Sequence, residues 1–458
     1  MRWFSTLARS FTVRRQRPTL VRPARPTPHE TKLLADVDDQ QGLCTHLSLL
    51  HFYSKRKWIS DDNIIAKEDD PVKVIKAALA ETLVFYYPFA GRLREVGPQK
   101  KLAVECTGEG ALFIEANADL GLEELAEELH PPFPCLEELL FNVPGSDAIL
   151  HSPLLLIQVT KFRCGGFAFG LRFNHTMTDG IGLVQFQKAL AEIARGASAP
   201  SVNPVWEREL LVAENPSSSA PPSVLHETDV VANTIRTLII PHHLDHLVHR
   251  CLFLGQTEIS AIRASLPAHL QSKCSTFEIL TAAIWRCRTV ALKPDSDEQV
   301  ALLYAVNARQ LFDPPLPQGY YGNVVKTAMV RTTARKMIAD NSFEHAVKLV
   351  MQSKVESRKM SIKSASDMVL PDTPPIISLA SFYAVSDARR MGFDEVDFGW
   401  GRPVFAGPVK NYIPGLSTFY IRARNLKGQH GVVVPIDLPE FAMENFFHEI
   451  ETMVTSVN

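Results

Sequence analysis

A stretch rich in proline and serine lies near the middle of the 458-residue chain. Residues 214–223 read Glu-Asn-Pro-Ser-Ser-Ser-Ala-Pro-Pro-Ser and show no hydrophobic periodicity, which is typical of an exposed linker or a long crossover loop. A chain of this length is expected to form two or three domains rather than one. The sequence therefore predicts two parts of similar size, residues 1–213 and 236–458, joined by a linker over residues 214–235.

Both parts combine strand-like and helix-like patterns. Residues 166–174 alternate apolar side chains with a period of two, which indicates a strand, and residues 181–195 repeat apolar side chains at helical spacing before Gly196. In the second part, Ser275 and Glu278 stand three residues apart, as in a capping box at a helix start. Alternating strands and helices predict the α/β fold class. The similar lengths of the two parts also allow two copies of one fold.

The composition is that of an ordinary globular protein, with 46% hydrophobic and 21% charged residues. A formal net charge of -2 argues against a nucleic-acid partner, since a dedicated binder usually carries a basic surplus. No apolar run approaches the roughly 18 residues needed to span a bilayer, so we expect no membrane partner. The seven cysteines are scattered and odd in number, which favours reduced thiols in a reducing compartment.

The N-terminal segment has two interpretations. Residues 1–29 contain seven arginines and no Asp or Glu, which is typical of an organellar transit peptide. Four prolines between positions 18 and 28 forbid a long amphipathic helix, however. We therefore favour an ordered basic segment of a cytoplasmic protein and keep organellar targeting as the alternative.

The strongest local feature is a predicted strand followed by His175, then Asp179, then a predicted helix. A histidine has an unperturbed pKa of roughly 6.5 and can accept a proton near neutral pH. Asp179 stands at the start of the helix, where the helix dipole favours a carboxylate, and Gly180 and Gly182 would let the backbone turn tightly. On spacing alone, a capping aspartate beside a hydrogen-bonded loop histidine remains the alternative.

A second feature is the segment Asp397-Phe-Gly-Trp-Gly401. Gly399 and Gly401 flank Trp400, which indicates a sharp loop that holds a large ring. By itself, the segment favours a structural turn that places Trp400 in the core.

Four histidines, at positions 242, 243, 246 and 249, have spacings that a metal ion could use. No cysteine and no second cluster completes such a site, so we predict a solvated surface segment and no metal. The sequence also lacks a Walker phosphate loop, a GxGxxG fingerprint, a GxSxG elbow and an HExxH motif. These absences disfavour the common kinase, dehydrogenase, α/β-hydrolase and zinc protease classes.

Taken together and in this order, His175-Thr-Met-Thr-Asp179 and Asp397-Phe-Gly-Trp-Gly401 resemble the paired HxxxD and DFGWG signatures of the BAHD acyltransferases. The resemblance covers nearly the whole chain. Other stretches match the family or its benzyl alcohol O-benzoyltransferase and alcohol acyltransferase branch: residues 36–42, 87–92, 106–110, 132–141, 206–211, 275–280, 307–309 and 319–323.

This resemblance implies two similar chloramphenicol-acetyltransferase-like domains, with mixed sheets flanked by helices and a channel between them. His175 would lie at the centre of the channel as the general base, and the alcohol would attack the thioester directly without an acyl-enzyme. Asp179 would point away from the substrate and pair with an arginine, for which Arg309 is the candidate. Asp397, Gly399, Trp400 and Gly401 would be mainly structural.

The resemblance also implies acyl-CoA as a co-substrate and no permanently bound cofactor. Ser275, Thr276 and Ser386 match family positions near coenzyme A or the channel. We expect a monomeric alcohol O-acyltransferase with a benzoyl or acetyl donor and benzyl alcohol or a small aliphatic alcohol as acceptor. Two alternatives stay open: a larger phenylpropanoid, amine or terpenoid acceptor, and a catalytically silent binding or regulatory relative.

Overall fold

A computed structural model of the chain describes residues 3–4, 11–55, 70–133, 136–212, 247–359, 362, 368, 378–425 and 428–455. The predicted linker, and three of the four clustered histidines, lie outside these residues. The fourth, His249, lies in a strand, where its Nδ1 is 2.7 Å from Asp437 Oδ1. Within the described residues, no three His, Cys, Asp or Glu side chains are placed to hold a metal ion.

The first half of the chain builds most of a mixed sheet, here called the first sheet. Its central strand, Phe167–Asn174, is antiparallel to its neighbours on both sides, and Leu155–Lys161 also runs parallel to Ala111–Ala118. The central strands are buried over almost their whole length because helices cover the sheet. The strands of the first sheet are Val13–Arg15, Thr19–Val21, His46–Tyr53, Ala111–Ala118, Leu155–Lys161, Phe167–Asn174 and Phe405–Pro408.

The second half builds most of a second mixed sheet. Its strands are Trp3–Phe4, Leu247–Gly255, Gln299–Asn307, Val325–Thr333, Phe382–Asp387, Ser417–Arg424 and His430–Pro439. A small third sheet joins Thr31–Leu33, Lys101–Glu105 and Arg92–Val96. The expected α/β architecture with mixed sheets is confirmed.

Helices cover both large sheets. They are Pro71–Phe85, Leu136–Leu139, Gly180–Ala194, Gln256–Ala264, Ala268–Gln271, Thr276–Leu292, Ala334–Ile338, Ser342–Lys359 and Glu440–Thr455. The Ser275–Glu278 capping box is present as predicted, and it fixes the start of the helix Thr276–Leu292. Of the helices described, none is both long and apolar enough to cross a bilayer.

Each large sheet contains one strand from the other half of the sequence. Phe405–Pro408 pairs with His46–Tyr53 in the first sheet, and Trp3–Phe4 pairs with Leu247–Gly255 in the second. A buried apolar cluster also joins the two halves, with Phe52 from the first and Val433 from the second among its members. The two halves are therefore interlocked, and the division at residues 214–235 stays a prediction.

Candidate active site

His175 lies where the central strand of the first sheet ends. The strand stops at Asn174, and residues His175–Met177 form one turn of 3-10 helix. Asn174 caps this turn, because its Oδ1 accepts hydrogen bonds from Thr176 N at 3.1 Å and Thr176 Oγ1 at 2.7 Å. The cap turns the chain out of the sheet, so the histidine leaves the strand and stands at the sheet's end.

The His175 imidazole has a defined tautomer. Its Nδ1 is 3.1 Å from the carbonyl oxygen of Thr178. A carbonyl oxygen can only accept a hydrogen bond, so Nδ1 carries the proton and Nε2 carries a lone pair. Burial lowers the pKa of His175 below its usual value, although the carboxylates of Asp179 and Asp38 partly oppose that effect. At neutral pH the ring is therefore a neutral base that accepts a proton at Nε2.

Asp179 is buried and turned away from that nitrogen. Its Oδ2 accepts hydrogen bonds from Arg309 Nη1 at 2.8 Å and Val324 N at 3.0 Å, and its Oδ1 accepts one from Arg309 Nη2 at 3.0 Å. Oδ1 also caps the helix Gly180–Ala194 by accepting from Gly182 N at 2.9 Å. The expected Asp179–Arg309 pair is present. This carboxylate holds the end of the loop to the second half of the chain and does not touch the His175 ring.

Gly180 and Gly182 are needed for close packing rather than for a tight turn. Neither residue has a positive φ, so our expectation about the backbone is wrong. A Cβ on Gly182 would lie 2.2 Å from the carbonyl oxygen of Tyr321, and one on Gly180 would lie 2.7 Å from Met391 Sδ. The first turn of the helix can approach residue 321 only because Gly182 has no side chain.

Three further residues hold the backbone of the His175 turn, and the motifs did not identify them. Asn323 Nδ2 donates to the carbonyl oxygen of His175 at 2.9 Å, and Arg208 Nη2 donates to that of Met177 at 2.8 Å. Asp38, which is fully buried, accepts from Asn323 Nδ2 at 2.8 Å and lies 2.9 Å from Arg208 Nε. Residues 36–42, 206–211 and 319–323 carried a family resemblance without an assigned role, which was the available signal.

An aromatic residue of the second half also faces the histidine. The ring of Tyr412 lies 6.0 Å from that of His175 and meets it edge-on, and its hydroxyl donates to the carbonyl oxygen of Gly42. Tyr412 therefore forms part of the wall beside the base. No motif in the sequence pointed to it, because it lies in a loop without periodicity.

The segment Asp397–Gly401 forms a tight loop against the first sheet. Asp397 Oδ1 accepts hydrogen bonds from Gly399 N at 2.7 Å and Gly401 N at 2.8 Å, and both glycines have positive φ, of 107° and 87°. The partly buried Trp400 ring packs edge-on against Phe167, with 5.3 Å between ring centroids. Phe167 begins the strand that Asn174 ends, and His175 follows directly. The loop therefore lies about 20 Å from His175, at the opposite end of this strand.

Comparisons with known proteins agree with this geometry. A model of the Transferase family matches residues 11–453. The chain is 54% identical to a benzyl alcohol O-benzoyltransferase of Petunia hybrida, over 97% of this chain and 94% of that protein. The chain is a BAHD acyltransferase. It is 47% identical to alcohol acyltransferase 16 of Actinidia chinensis var. chinensis, again over 97% of this chain and 94% of the relative.

Solved structures share the fold of this BAHD acyltransferase. Vinorine synthase superposes with a TM-score of 0.71 at 21% identity, covering 96% of this chain and 98% of that one. TRI101 of F. sporotrichioides, solved with coenzyme A and T-2, superposes with a TM-score of 0.66 at 16% identity, covering 91% and 97%. The family match and the relatives at 54% and 47% identity show that the protein is an acyl-CoA-dependent O-acyltransferase, with acyl-CoA as its co-substrate.

The three residues expected on the coenzyme A side lie on two elements of the second half of this BAHD acyltransferase. Ser275 and Thr276 begin the helix Thr276–Leu292, and Ser386 lies partly buried in the strand Phe382–Asp387. The carboxylate of Glu278 already accepts from Ser275 N at 2.6 Å, and Lys354 Nζ lies 2.7 Å from that carboxylate. Their hydrogen bonds connect them to neighbours in the second half and not to His175, Asp179 or Arg309.

Proposed function

We propose that this BAHD acyltransferase transfers a benzoyl or acetyl group from coenzyme A to benzyl alcohol or a small aliphatic alcohol. The observation that carries the proposal is the His175 imidazole, whose Nδ1 proton is committed to Thr178 and whose Nε2 is a free base. The activities for which the Petunia and Actinidia relatives are named, at 54% and 47% identity, support this substrate class. We further propose that the protein acts as a cytoplasmic monomer.

The chemistry follows from that one base. Nε2 of His175 accepts the hydroxyl proton of the alcohol, and the alcohol oxygen bonds to the thioester carbonyl carbon. A tetrahedral oxyanion forms, the carbon–sulfur bond breaks, and the thiolate of coenzyme A takes the proton back from the imidazolium. Ester and free coenzyme A leave, and His175 returns to its neutral form. Asp179 stays bound to Arg309 throughout, so it acts by holding the loop in place.

Other residues singled out in the sequence have supporting roles in this proposal. Ser275, Thr276 and Ser386 would contact coenzyme A, and Lys354, with its Nζ 3.1 Å from Ser275 Oγ, adds a positive charge that suits a phosphate. Asp397, Gly399, Trp400 and Gly401 would be structural, since they fix the chain just before the strand Phe405–Pro408 enters the first sheet.

Ester formation by the purified full-length chain tests the proposal. Benzoyl-CoA and acetyl-CoA would each be offered with a mixture of benzyl alcohol, hexanol and hexenol, and the products would be identified by mass. We expect at least one ester, released coenzyme A in equal amount, and neither product from the His175→Ala variant. Turnover only with phenylpropanoid, amine or terpenoid acceptors would move the assignment to a larger acceptor. No turnover and no coenzyme A release with any acceptor would support a silent relative.

A further inference from the structure

The turn that carries the base is held through three consecutive backbone carbonyls. Asn323 Nδ2 reaches the carbonyl oxygens of His175 at 2.9 Å and Thr176 at 3.3 Å, and Arg208 Nη2 reaches that of Met177 at 2.8 Å. These bonds act on the backbone of the turn and are separate from the Nδ1 contact with Thr178. They restrict how the imidazole can be displaced from the end of its strand.

Both donors are anchored at one buried carboxylate. Asp38 Oδ1 accepts from Asn323 N at 2.9 Å and from Asn323 Nδ2 at 2.8 Å, and Asp38 Oδ2 lies 2.9 Å from Arg208 Nε. The Asp38 and Arg208 side chains are only 0% and 2% exposed. The guanidinium of Arg208 lies over the rings of Trp206 and Tyr320, at 4.4 Å and 5.1 Å from their centroids.

A dry ion pair in this position is not explained by stability alone. Well-packed apolar side chains usually stabilise a core as well as a buried ion pair does, because removing two charges from water is costly. Asp38, Arg208 and Asn323 also come from segments more than a hundred residues apart, and their bonds converge on one turn. The simplest explanation is that the His175 imidazole must be held in a fixed position, because functional groups need supporting side chains to keep their geometry.

We propose that Asp38 is a positioning residue for the base: through Asn323 and Arg208 it holds the His175 turn. The proposal rests on the proposed function of His175 and adds the residues that set its position and its basicity. Asp38 does not touch the substrates. Its contribution is expected in kcat and in the titration of His175, and much less in KM.

The charged and titratable groups around His175 determine the sign of the effect. They are the carboxylates of Asp38 and Asp179, their arginine partners Arg208 and Arg309, and the phenol of Tyr412. Burial lowers the pKa of His175, and the negative charge of Asp38 opposes that lowering. Replacing Asp38 with Asn removes that charge and leaves Arg208 positive, so the pKa of His175 must fall further.

Three variants of the full-length chain separate positioning from folding. Asp38→Asn removes the anchoring charge, and Asn323→Ala removes the bonds to two carbonyls while leaving the Asp38–Arg208 pair in place. Asp36→Asn is the matched control, because it removes a nearby carboxylate that pairs at 2.6 Å with the partly exposed Lys101. Each variant would be measured for thermal unfolding, for kcat and KM, and for the pH dependence of His175 carbethoxylation by diethyl pyrocarbonate, followed by peptide mass.

We expect kcat to fall roughly 10- to 100-fold in Asn323→Ala and Asp38→Asn, with KM changed less than about threefold. The midpoint of His175 carbethoxylation should move to lower pH in Asp38→Asn and stay unchanged in Asp36→Asn. The carbethoxylation assay needs no turnover, so it tests Asp38 even if the wild-type chain forms no ester. A folded Asn323→Ala enzyme with wild-type kcat, or an unshifted midpoint in Asp38→Asn, would overturn the proposal. Loss of cooperative unfolding in both variants would also overturn it, because the network would then hold the domain rather than one turn.

Discussion

Burial gives His175 a property that its residue type alone does not have. An exposed imidazole is partly protonated just below neutral pH, whereas burial keeps this ring neutral to lower pH. The Nδ1 contact with Thr178 then leaves one nitrogen, Nε2, for the reaction. At this scale the site depends on one base with a fixed tautomer.

Replacing His175 with Ala should remove this base without disturbing the fold. His175 is partly and not fully buried, and within the described residues its ring makes one hydrogen bond, to Thr178, so the loss of stability should be small. We expect kcat/KM to fall by roughly 10²- to 10⁴-fold, the usual contribution of a general base. Steady-state kinetics and thermal unfolding measure the two quantities. His448→Ala, on the exposed face of the last helix, is the matched control and should keep full activity.

The pH dependence of kcat/KM should report the lowered pKa of His175. The neutral ring is the active form, so the rate should be constant above the pKa and fall as the pH drops through it. Because that pKa lies below 6.5, the decline should begin at lower pH than for an ordinary histidine. A pH–rate profile with a saturating donor checks this, and an acid limb centred above 6.5 would contradict it.

Sequence motifs found some of the site residues and missed others for a physical reason. His175 and Asp179 lie four positions apart in one segment, so a local pattern reveals them, and Arg309 followed from the family resemblance. Asp38, Arg208 and Asn323 meet only after three distant segments fold together. Buried polar residues of this kind look like ordinary loop residues in the sequence, because their partners cannot be read from it.

At the scale of elements, the starts of helices could be predicted from the sequence, whereas the packing of loops against other elements could not. Ser275 caps its helix as the sequence predicted, and Asp179 is the cap of the two candidates there, Thr178 and Asp179; capping depends on residues within one turn. The prediction that Gly182 serves a tight turn was wrong. Its role is close packing against Tyr321, which is 139 positions away, and such a contact depends on tertiary structure. Local chemistry is therefore predictable from the sequence, while contacts between elements require coordinates.

The Asp179–Arg309 pair gives a testable prediction about the junction between two elements. Asp179→Asn can still cap the helix, but it leaves the charge of a largely buried Arg309 without its partner. We expect a loss of roughly 3–5 kcal/mol in the free energy of unfolding. Arg309→Gln added to that variant should restore part of the loss, because the uncompensated charge is gone.

Chemical denaturation of the two single variants and the double variant measures this coupling. Asp387→Asn is a suitable control, because Asp387 also pairs with an arginine, Arg389, but only two residues away and on a less buried site. Strictly additive losses for Asp179 and Arg309 would show that the two side chains do not interact as the structure indicates.

The contact at Gly182 predicts a graded response to added methyl groups. Gly182→Ala would place Cβ against a backbone oxygen that cannot move freely, and should cost about 1–3 kcal/mol. Gly180→Ala meets the flexible end of Met391 instead, and should cost clearly less. Denaturation midpoints of the two variants check the order, and equal losses would contradict it.

At the scale of the whole molecule, the α/β class was predictable from the strand and helix patterns and the mixed sheets followed from the family resemblance, but the exchange of strands was not predictable. Strand and helix periodicities are local, so they appear in a single sequence. The pairing of Phe405–Pro408 with His46–Tyr53 joins strands about 350 positions apart, and no periodicity records which strands will meet. The predicted boundary therefore separated two sequence halves that the fold interlocks.

A fully buried histidine, His51, and a half-buried one, His46, should make the molecule sensitive to acid. Burial lowers the pKa of His51 to about 3 and that of His46 to about 4, whereas unfolding returns both to roughly 6.5. The unfolded chain therefore binds more protons below pH 6.5, and stability must fall as the pH drops through that range. For the fully buried His51, the loss between pH 7 and pH 5 is about 2 kcal/mol.

Thermal or denaturant unfolding at pH 7 and pH 5 measures this loss. The difference between the two pH values should shrink by about 2 kcal/mol in His51→Leu, whatever the absolute stability of the variant. His448→Leu replaces an exposed histidine and should keep the wild-type difference. An unchanged difference in His51→Leu would show that His51 does not titrate on unfolding.

Each half of the chain contributes one strand to the sheet of the other half, and this exchange limits which hybrids of related proteins can fold. A hybrid gene joined at the midpoint would set residues 405–408 of one parent beside residues 46–53 of the other. In the same hybrid, the apolar cluster that contains Phe52 and Val433 would be built from residues of two different parent proteins. Descent should therefore keep these surfaces matched, and chimaeras that move residues 405–408 together with the first half should survive where midpoint chimaeras fail.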